Sequence, residues 1–512
     1  MWIGLGCVAG FLALVAAYDL TQRRHAILRN FPIIGHFRYL LEMIGPELRQ
    51  YIVTSNDEEL PFSRDQRTWV YASSKQQNNY FGFGTDNDLE GTPNQLIIKQ
   101  SMFPLSAAQP GQPEYDKLHS VPCAKVMGAA RNRRLAFRPT SVINISGMSF
   151  GSLSGAAVEA INRGCAMAGC LHNTGEGAVS RHHRHGGELI WQIGTGYFGS
   201  RNESGHFDLS RFKDAVAANP IKAVELKLSQ GAKPGMGGLL PSAKITAEIS
   251  EIRGIPMGRD CISPSRHTAF SNVDSMLDFV EMLADATGLP IGIKSAVGEQ
   301  SFWNDLAEQM ATTDRGVDFI AVDGGEGGTG AAPLVFSDHV ALPFKLGFVR
   351  VYREFFERGL QDRVVFVGAG KLGFPAQAAL AFSLGCDMIH VAREAMLAIG
   401  CIQAQRCQTG HCPAGVATQS KWLMRGLDPT HKSARLANYV ITLRKELLQL
   451  ALVCGVSHPA LMTPDDCEIL DDRFNAQSVR QIFGLPSHSH WGVPSAEQTQ
   501  EINRIMGNGS GS

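Results

Sequence analysis

Short apolar runs alternate with stretches of helical spacing along the chain from Pro139 to about residue 400. The apolar runs predict strands at 141–145, 170–173, 223–228, 260–263, 290–295, 317–322, 364–368 and 388–391. Between most of them lie segments with the periodicity of a helix, which predict helices at 154–168, 273–286, 302–312 and 374–384. The pattern is therefore that of strands and helices in regular alternation.

This alternation indicates a parallel sheet, because a parallel crossover needs a connection about as long as a helix. Eight such units within about 260 residues match the size of a (β/α)8 TIM barrel. A doubly wound open sheet is the competing architecture, and the count of eight strands favours the barrel. We therefore predict an α/β fold in which residues 136–425 form the barrel.

The N-terminal residues have a different character. Residues 2–18 (WIGLGCVAGFLALVAAY) are uncharged and apolar, and the run is just long enough to span a bilayer. Arg23, Arg24, His25, Arg29 and Arg38 follow it, and the positive-inside rule keeps such a segment in the cytoplasm. A secretory signal is the weaker interpretation, since no basic segment precedes the run, and a buried N-terminal helix is the other alternative. We predict a single-pass membrane anchor at residues 1–20, with the catalytic domain in the cytoplasm.

The remaining segments have no clear repeat. Residues 21–135 are mostly polar and irregular, so we predict a lead-in region before the barrel. Residues 426–512 are predicted to form a C-terminal helical region and tail. The net charge of −1 and the pI of about 7.0 disfavour nucleic-acid binding, which needs a clustered basic excess.

Polar or glycine-rich segments follow nearly every predicted strand. In a TIM barrel the residues directly after the strands face the active site. Loops of ordinary barrels also contain glycine, so no single segment is decisive, but their shared position predicts one common site. The segments are 146–152 (SGMSFGS), 173–177 (NTGEG), 227–235 (KLSQGAKPG) and 323–330 (DGGEGGTG).

The ends of the seventh and eighth strands form the usual phosphate-binding corner of such barrels. Gly368 ends the seventh predicted strand, Gly370 and Lys371 follow it, and Ala392 and Arg393 follow the eighth. Glycines leave backbone N–H groups accessible to phosphate oxygens, and the two basic side chains neutralise the charge. The position predicts a cofactor that contains phosphate without identifying it.

Three of the eleven cysteines are close together. Cys401, Cys407 and Cys412 have the spacing C-x5-C-x4-C and precede Pro413, which is typical of thiolate ligands to an iron–sulfur cluster. Zinc is the rival, with His411 or another cysteine as the fourth ligand, although the usual C-x2-C pairs are absent. Three buried thiols without a metal are the remaining alternative. The histidine-rich tract at 181–185 is a metal site or a solvated, substrate-facing loop.

Together these motifs resemble the FMN-binding (synthase) domain of the glutamate synthase family. The resemblance extends over about residues 144–420 and includes 147–152, 173–177, 230–235, 327–331 and the CPAGVAT segment at 412–418. It implies a barrel that binds FMN, and a [3Fe-4S] cluster held by Cys401, Cys407 and Cys412.

The resemblance also implies roles for single residues. Lys227 is the expected positive charge near the flavin, and Gln230 and Lys233 are expected to hold substrate carboxylates or the flavin edge. Glu176 is the candidate proton donor or ammonia-guiding carboxylate, and Lys294 and Arg266 are further candidate carboxylate partners. The implied cofactor-binding residues are Ser149, Asn173, Lys227, Gln230, Gly328, Thr329, Gly368, Gly370, Lys371, Ala392 and Arg393.

The implied reaction reduces the imine of 2-oxoglutarate and ammonia to L-glutamate. The chain departs from the large family enzymes because Met1-Trp2 leads into the apolar run where those enzymes have a glutaminase nucleophile. We therefore expect free ammonia or a separate glutaminase as the nitrogen source, and a one-electron donor such as ferredoxin. Three alternatives remain: synthesis of another amino acid such as N-methylglutamate, a non-catalytic electron-transfer membrane protein, and an FMN barrel acting on a hydroxy acid.

Overall fold

The computed structural model describes residues 2–22, 24–112, 115–473, 475–486, 491–492 and 494–507. Met1 of the predicted anchor and Arg23 of the basic segment lie outside the described residues, as do parts of the predicted tail. The chain divides into two compact units, Met1–Thr68 and Trp69–Ser512. The predicted lead-in, 21–135, is therefore divided between the two units.

The first unit is helical. Its helices are Trp2–Thr21, Ala26–Asn30 and Ile34–Leu48, followed by a π-helical turn at Arg49–Val53. Trp2–Thr21 has a mean hydropathy of 1.9 over its most apolar stretch, and 6% of that stretch is buried. Among the described residues it is the one helix whose length and composition would allow it to cross a membrane.

The second unit contains a closed barrel of eight parallel strands. The predicted (β/α)8 barrel is thereby confirmed. In chain order the strands are β1 (Ile143–Ile145), β2 (His172–Asn173), β3 (Leu189–Ile193), β4 (Ile221–Lys227), β5 (Ile291–Ser295), β6 (Phe319–Asp323), β7 (Val365–Ala369) and β8 (Met388–Val391).

One predicted strand is wrong and one strand was missed. The run at 260–263 does not join the barrel, because Cys261–Ile262 pairs antiparallel with Leu239–Leu240 in a separate two-stranded sheet. The missed strand is β3, which lies between the predicted strands 170–173 and 223–228, where the sequence predicts no element. A structureless loop of that length is rare in a compact domain, so its length alone was a signal of a hidden element.

Four predicted helices are confirmed as Gly155–Ala168, Val273–Thr287, Ser301–Thr312 and Pro375–Ser383. The Ser154 hydroxyl caps the first of them by accepting a hydrogen bond from the Ala157 N–H at 3.1 Å. The other helices are Arg64–Ser74, Leu209–Ala217, Ala247–Arg253, Leu334–His339, Phe344–Glu357, Arg393–Ala398, Lys421–Met424, Pro429–Val453, Val479–Ile482 and Ala496–Ile505. Three further strands, Leu96–Ile98, Cys467–Leu470 and Ala476–Ser478, form an antiparallel sheet.

Residues that precede β1 close the amino end of the barrel. Met127 pairs with Phe137 in an antiparallel bridge. Cys123 and Met127 are fully buried and pack with interior side chains of the strands, including Phe319 of β6. Because this end is filled with apolar side chains, the carboxyl end of the strands is left to contain the polar site.

The C-terminal region belongs to the outer layer of the barrel. Helix Pro429–Val453 packs along helix Gly155–Ala168. The approach is close at Gly164, where a Cβ atom would lie 2.8 Å from Leu436. The predicted boundary at 425 therefore does not separate two independently packed bodies.

Candidate active site

The central contact at the carboxyl end of the barrel is an ion pair. Lys227, the last residue of β4, places its Nζ 2.8 Å from Oε1 of Glu176, which lies in the segment after β2. Burial alone would raise the pKa of the Glu176 carboxyl, but the Lys227 ammonium outweighs it and the pKa falls below its ordinary value. Glu176 is therefore a carboxylate, and two predicted catalytic residues lie in contact.

Two more cations lie close to this pair. Lys233 is buried, and its Nζ donates to the Gly237 carbonyl at 2.9 Å. Burial, and then the charge of Lys227, lowers the Lys233 pKa. Arg253 is also buried, and its guanidinium donates to the Phe150 carbonyl at 2.8 Å. With three cations near one carboxylate, the site has an excess of positive charge that suits an anionic substrate.

The segment after β4 is connected to the segment after β6. The Gly231 N–H donates to Asp323 Oδ2 at 3.0 Å, and Lys294 Nζ lies 3.2 Å from the same oxygen. Burial alone would lower the Lys294 pKa, but Asp323 and then Glu225 outweigh it and raise the pKa. The carbonyl of Gln230 accepts from the Lys233 N–H at 3.3 Å, so these two predicted residues belong to one tight turn.

A polar layer lies inside the barrel below this face. Asn173 and Gln192 donate to Oε1 of Glu225 at 2.9 and 2.6 Å, and burial raises the Glu225 pKa. In the described part of the chain, Glu225 Oε2 and both ring nitrogens of His390 have no hydrogen-bond partner. Buried polar atoms are normally satisfied, so this layer fits a bound group with several polar atoms.

A buried histidine links Lys227 to the loop after the two-stranded sheet. Tyr197 Oη accepts from the N–H groups of Thr268 and Ala269 at 3.1 Å, so its own proton is directed to His267 Nδ1, also at 3.1 Å. The other ring nitrogen, Nε2, then donates to the Lys227 carbonyl at 3.0 Å. Burial lowers the His267 pKa to about 4, which keeps the ring neutral. His267 thus fixes the main chain that bears Lys227.

The predicted phosphate corner is partly assembled. Arg393 donates to the Glu326 carbonyl, and a Cβ on Gly328 would lie 2.6 Å from the Arg393 side chain. Burial lowers the pKa of Lys371, and the charge of Arg393 lowers it further. Two half-buried cations that repel each other fit a phosphate group, which would relieve that repulsion.

The other predicted cofactor residues differ in their surroundings. Gly370 has φ +126° and approaches Gly324 of the loop after β6, but Gly368 faces Phe344 and Cys386 in the core. Ser149 is buried, and its hydroxyl lies 3.0 Å from that of Ser152. Thr329 is exposed, and Ala392 directly precedes helix Arg393–Ala398.

The three cysteines lie in a loop beside the same face. A Cβ on Gly330 would lie 3.0 Å from Cys407 Cβ, and Lys244 Nζ donates to the Cys407 carbonyl at 2.7 Å. Burial and then the neighbouring Cys412 raise the pKa of the Cys407 thiol. His411 is exposed, and no set of three ligand atoms within 4.8 Å of one another includes these cysteines in the described part of the chain.

The histidine-rich tract is not assembled around one point. His183 is buried against His172, with ring centroids 5.2 Å apart. His182 and His185 face different carboxylates, those of Glu248 and Glu159, at 3.3 and 3.7 Å. The tract therefore fits the structural interpretation better than the metal site.

A cavity of about 410 Å³ adjoins the ion pair. Ser263 lines it, and a Cβ on Gly238 would lie 3.2 Å from Ser263 Oγ and 3.0 Å from Glu176 Oε1. Arg201, Arg259 and Asp260 also line the cavity, so its two cations outnumber its one carboxylate and it suits a small anion.

The sequence as a whole decides the family. The conserved region of glutamate synthase matches residues 115–457. The chain belongs to the glutamate synthase family. The resemblance inferred from the motifs is thereby confirmed. Glutamate synthases are oxidoreductases that act on the CH–NH2 group of donors.

Two relatives in sequence agree with this assignment, and one solved structure is similar in outline only. A glutamate synthase large subunit-like protein of Bacillus subtilis is 37% identical over 471 residues, covering 86% of this chain and 89% of that protein. An archaeal glutamate synthase [NADPH] of Methanocaldococcus jannaschii is 34% identical over 318 residues, and the match covers 62% of this chain and 59% of the relative. Among solved structures, a mutant flavocytochrome b2 with benzoylformate has a TM-score of 0.45 at 13% identity, covering 90% and 92% of the two chains.

Sequence reasoning missed several residues that border the glutamate synthase site. Arg253 and His267 lie in the segment whose strands were assigned wrongly, so their distance from Lys227 was hidden. Gln192 lies on the missed strand β3. The signal that would have revealed Gln192 was the short run LIWQI, which has the composition of a buried strand. Arg266 is exposed and is not one of the cations described around Glu176.

Proposed function

We propose that this protein reduces the imine of 2-oxoglutarate and ammonia to L-glutamate, using FMN and a [3Fe-4S] cluster. The observation that supports this most is the Lys227–Glu176 ion pair, surrounded by further cations, in a chain of the glutamate synthase family. FMN supplies hydride transfer when bound, and the cluster supplies one-electron transfer.

Two groups of residues would hold the flavin, one around its phosphate and one around the rest of the cofactor. Lys371 and Arg393 would bind its phosphate, with Gly328 and Gly370 allowing close approach of the backbone. Ser149, Asn173, Lys227, Gln230 and Thr329 would border the rest of the cofactor. The unpaired polar atoms of Glu225 and His390 support a heteroatom-rich ring at the carboxyl end of the barrel.

The cations beside Glu176 would bind 2-oxoglutarate, which has two negative charges. Lys233 and Arg253 are buried, so their charges act through little water and attract carboxylates strongly. Their hydrogen bonds to main-chain carbonyls hold both side chains in place before substrate arrives. The substrate would therefore meet a preorganised site.

Glu176 would act as a carboxylate. Its lowered pKa makes it a poor proton donor at neutral pH, so we favour the ammonia-guiding role over the acid role. A carboxylate attracts the ammonium ion and stabilises the positive charge of a protonated imine. Lys227, hydrogen bonded to it at 2.8 Å, orients this carboxylate.

The cluster would be held by Cys401, Cys407 and Cys412. Contact of Cys407 with Gly330 places this loop against the segment after β6, so electrons would reach the flavin over a short path. A ferredoxin-type donor would supply single electrons, and ammonia would come from solution or from a separate glutaminase. Helix Trp2–Thr21 would anchor the enzyme in the membrane with the barrel in the cytoplasm.

The test is turnover with defined nitrogen sources. Purified full-length protein, reduced by ferredoxin, is given 2-oxoglutarate with 15N-ammonium, with glutamine or with methylamine, and the amino-acid products are measured by mass spectrometry. We expect 15N-glutamate from ammonium and no glutamate from glutamine alone. N-methylglutamate formed faster than glutamate would replace the proposed substrate, and reduced protein that no nitrogen source reoxidises would contradict catalysis.

A further inference from the structure

Helix Ile34–Leu48 has an exposed apolar face. Ile34, Phe37, Leu41, Ile44 and Leu48 follow one another at intervals of three or four residues and are between 37% and 76% exposed. That spacing places all five side chains on one face of the helix. A continuous apolar face of this kind marks an interaction surface.

One edge of the apolar face is polar. Arg38 and Glu42 form an ion pair at 2.7 Å, one turn apart. Both are exposed and lie about a quarter to a third of a turn from the apolar face. The apolar face thus has a charged edge, and its side chains are exposed.

Contacts of Asp19 bind this helix to the end of the apolar helix. Asp19, in the last turn of Trp2–Thr21, is buried and accepts the Ile33 N–H at 2.9 Å. His36 Nε2 lies 2.9 Å from the other oxygen of the same carboxylate. Ile33 has φ +64°, which is strained for a β-branched residue, and the bond to Asp19 holds it there. A direct hydrogen bond therefore connects the start of Ile34–Leu48 to the end of the apolar helix.

Basic residues outnumber acidic ones along this segment. Arg24, Arg29, Arg38 and Arg49 lie within residues 24–49, against the two acidic residues Glu42 and Glu47. This excess of positive charge complements a negatively charged surface. Amphipathic helices with such flanking charge lie in the plane of anionic bilayers.

We propose that Ile34–Leu48 lies along the cytoplasmic surface of an anionic bilayer, with its apolar face inserted at the level of the lipid headgroups. The inference rests on the membrane anchor included in the proposed function. If Trp2–Thr21 spans the bilayer, the hydrogen bonds of Asp19 keep the start of Ile34–Leu48 at the membrane surface. The occupant of the apolar face is then lipid.

Fluorescence in vesicles tests the proposal. Full-length protein with Phe37→Trp, on the apolar face, is compared with Glu42→Trp, on its polar edge, after reconstitution into phosphatidylcholine–phosphatidylglycerol vesicles. The parent protein supplies the background from its own tryptophans. With lipids brominated near the headgroup, we expect at least about twofold quenching of the added fluorescence for Phe37→Trp and little for Glu42→Trp, because only the first enters the lipid.

Separate measurements distinguish failure of this inference from failure of the anchor. Carbonate extraction of membranes reports the anchor alone, and release of the protein into the supernatant would overturn both statements. Protein that stays in the pellet, with equal or no quenching of the two variants, would overturn only the surface helix. Glutamate formation by both variants is expected to match that of the parent, so a loss of the proposed function would be seen independently.

Discussion

Lys227 Nζ and Glu176 Oε1 lie 2.8 Å apart although their strands, β4 and β2, are separated by β3 in the barrel. The pair crosses above Gly194, the residue directly after β3. A Cβ at Gly194 would lie 2.6 Å from Glu176 Oε2, so a side chain there would displace the carboxylate. The ends of three consecutive strands, β2, β3 and β4, thus shape the space that this ion pair occupies.

Lys227→Ala is expected to lower glutamate formation by more than ~100-fold, the scale of removing one electrostatic stabiliser from an active site. The loss should fall mainly on kcat, measured with saturating 2-oxoglutarate and ammonium, while the iron content stays unchanged. Lys222→Ala is the matched control, because Lys222 is on the same strand and forms a surface pair with Glu188 at 3.5 Å. Normal turnover by Lys227→Ala would remove Lys227 from the mechanism.

Gly231→Ala is expected to abolish flavin binding. The new Cβ would lie 1.8 Å from the Gly324 carbonyl, so the segments after β4 and β6 would have to separate and lose the Gly231–Asp323 hydrogen bond. Gly298→Ala, after β5 on the same face, meets nothing within 4 Å and is the control. Flavin released on denaturation of equal amounts of protein measures the difference; equal flavin in both variants would show that the close approach is not needed.

His267→Leu is expected to reduce kcat at least about tenfold, since the Lys227 carbonyl and the Tyr197 hydroxyl lose their common partner. His267→Gln can still donate a hydrogen bond from a similar position and should recover much of the rate. A purely packing role predicts the reverse order, because leucine fills the buried site better than glutamine does. Steady-state kinetics of the two variants, with thermal unfolding as the check on folding, decide between these outcomes.

Acid should begin to destabilise the protein at pH values above those at which carboxylates titrate. Burial lowers the pKa of His267 and His458 to about 4 and that of His172 and His390 to about 3. Below about pH 6.5 these histidines are protonated in the unfolded chain but stay neutral in the folded chain. Each of them therefore lowers the free energy of unfolding by ~1.4 kcal/mol per pH unit. Stability is thus lost from about pH 6.5 down to about pH 4 for His267 and His458, and down to about pH 3 for His172 and His390.

His458→Gln tests that account away from the site, because His458 donates to the Pro122 carbonyl at 2.8 Å, outside the carboxyl face. The fall in Tm between pH 7.5 and 5 should be smaller for this variant than for the parent. The same fall in both proteins would mean that another group controls acid stability.

Cys407→Ser is expected to remove the iron while most of the flavin remains, since the cysteine loop and the phosphate corner use different residues. Cys454→Ser is the control, because this free cysteine lies near the end of helix Pro429–Val453. Iron content, acid-labile sulfide and low-temperature electron paramagnetic resonance report the cluster. One equivalent of zinc and no iron in the parent protein after anaerobic preparation would contradict the cluster.

The barrel could be predicted because each strand and helix leaves a local periodic signal, and seven of the eight barrel strands were found in this way. The strand β3 was missed because LIWQI follows a polar tract without a helix between them. Lys227 and Glu176 were found because both lie directly after strands. Arg253 and His267 could not be found, since their contacts depend on the path of a long excursion between β4 and β5 that has no repeating pattern.

The packing of helix Gly155–Ala168 against Pro429–Val453 has a consequence for biosynthesis. The second helix leaves the ribosome about 260 residues after the first, which takes on the order of tens of seconds at usual rates of translation. During that time β2 to β8 are synthesised, while the face of the first helix around Gly164 still lacks its partner helix. The nascent barrel therefore exposes an apolar helix face until translation is nearly complete, which makes it a natural client of ribosome-associated chaperones.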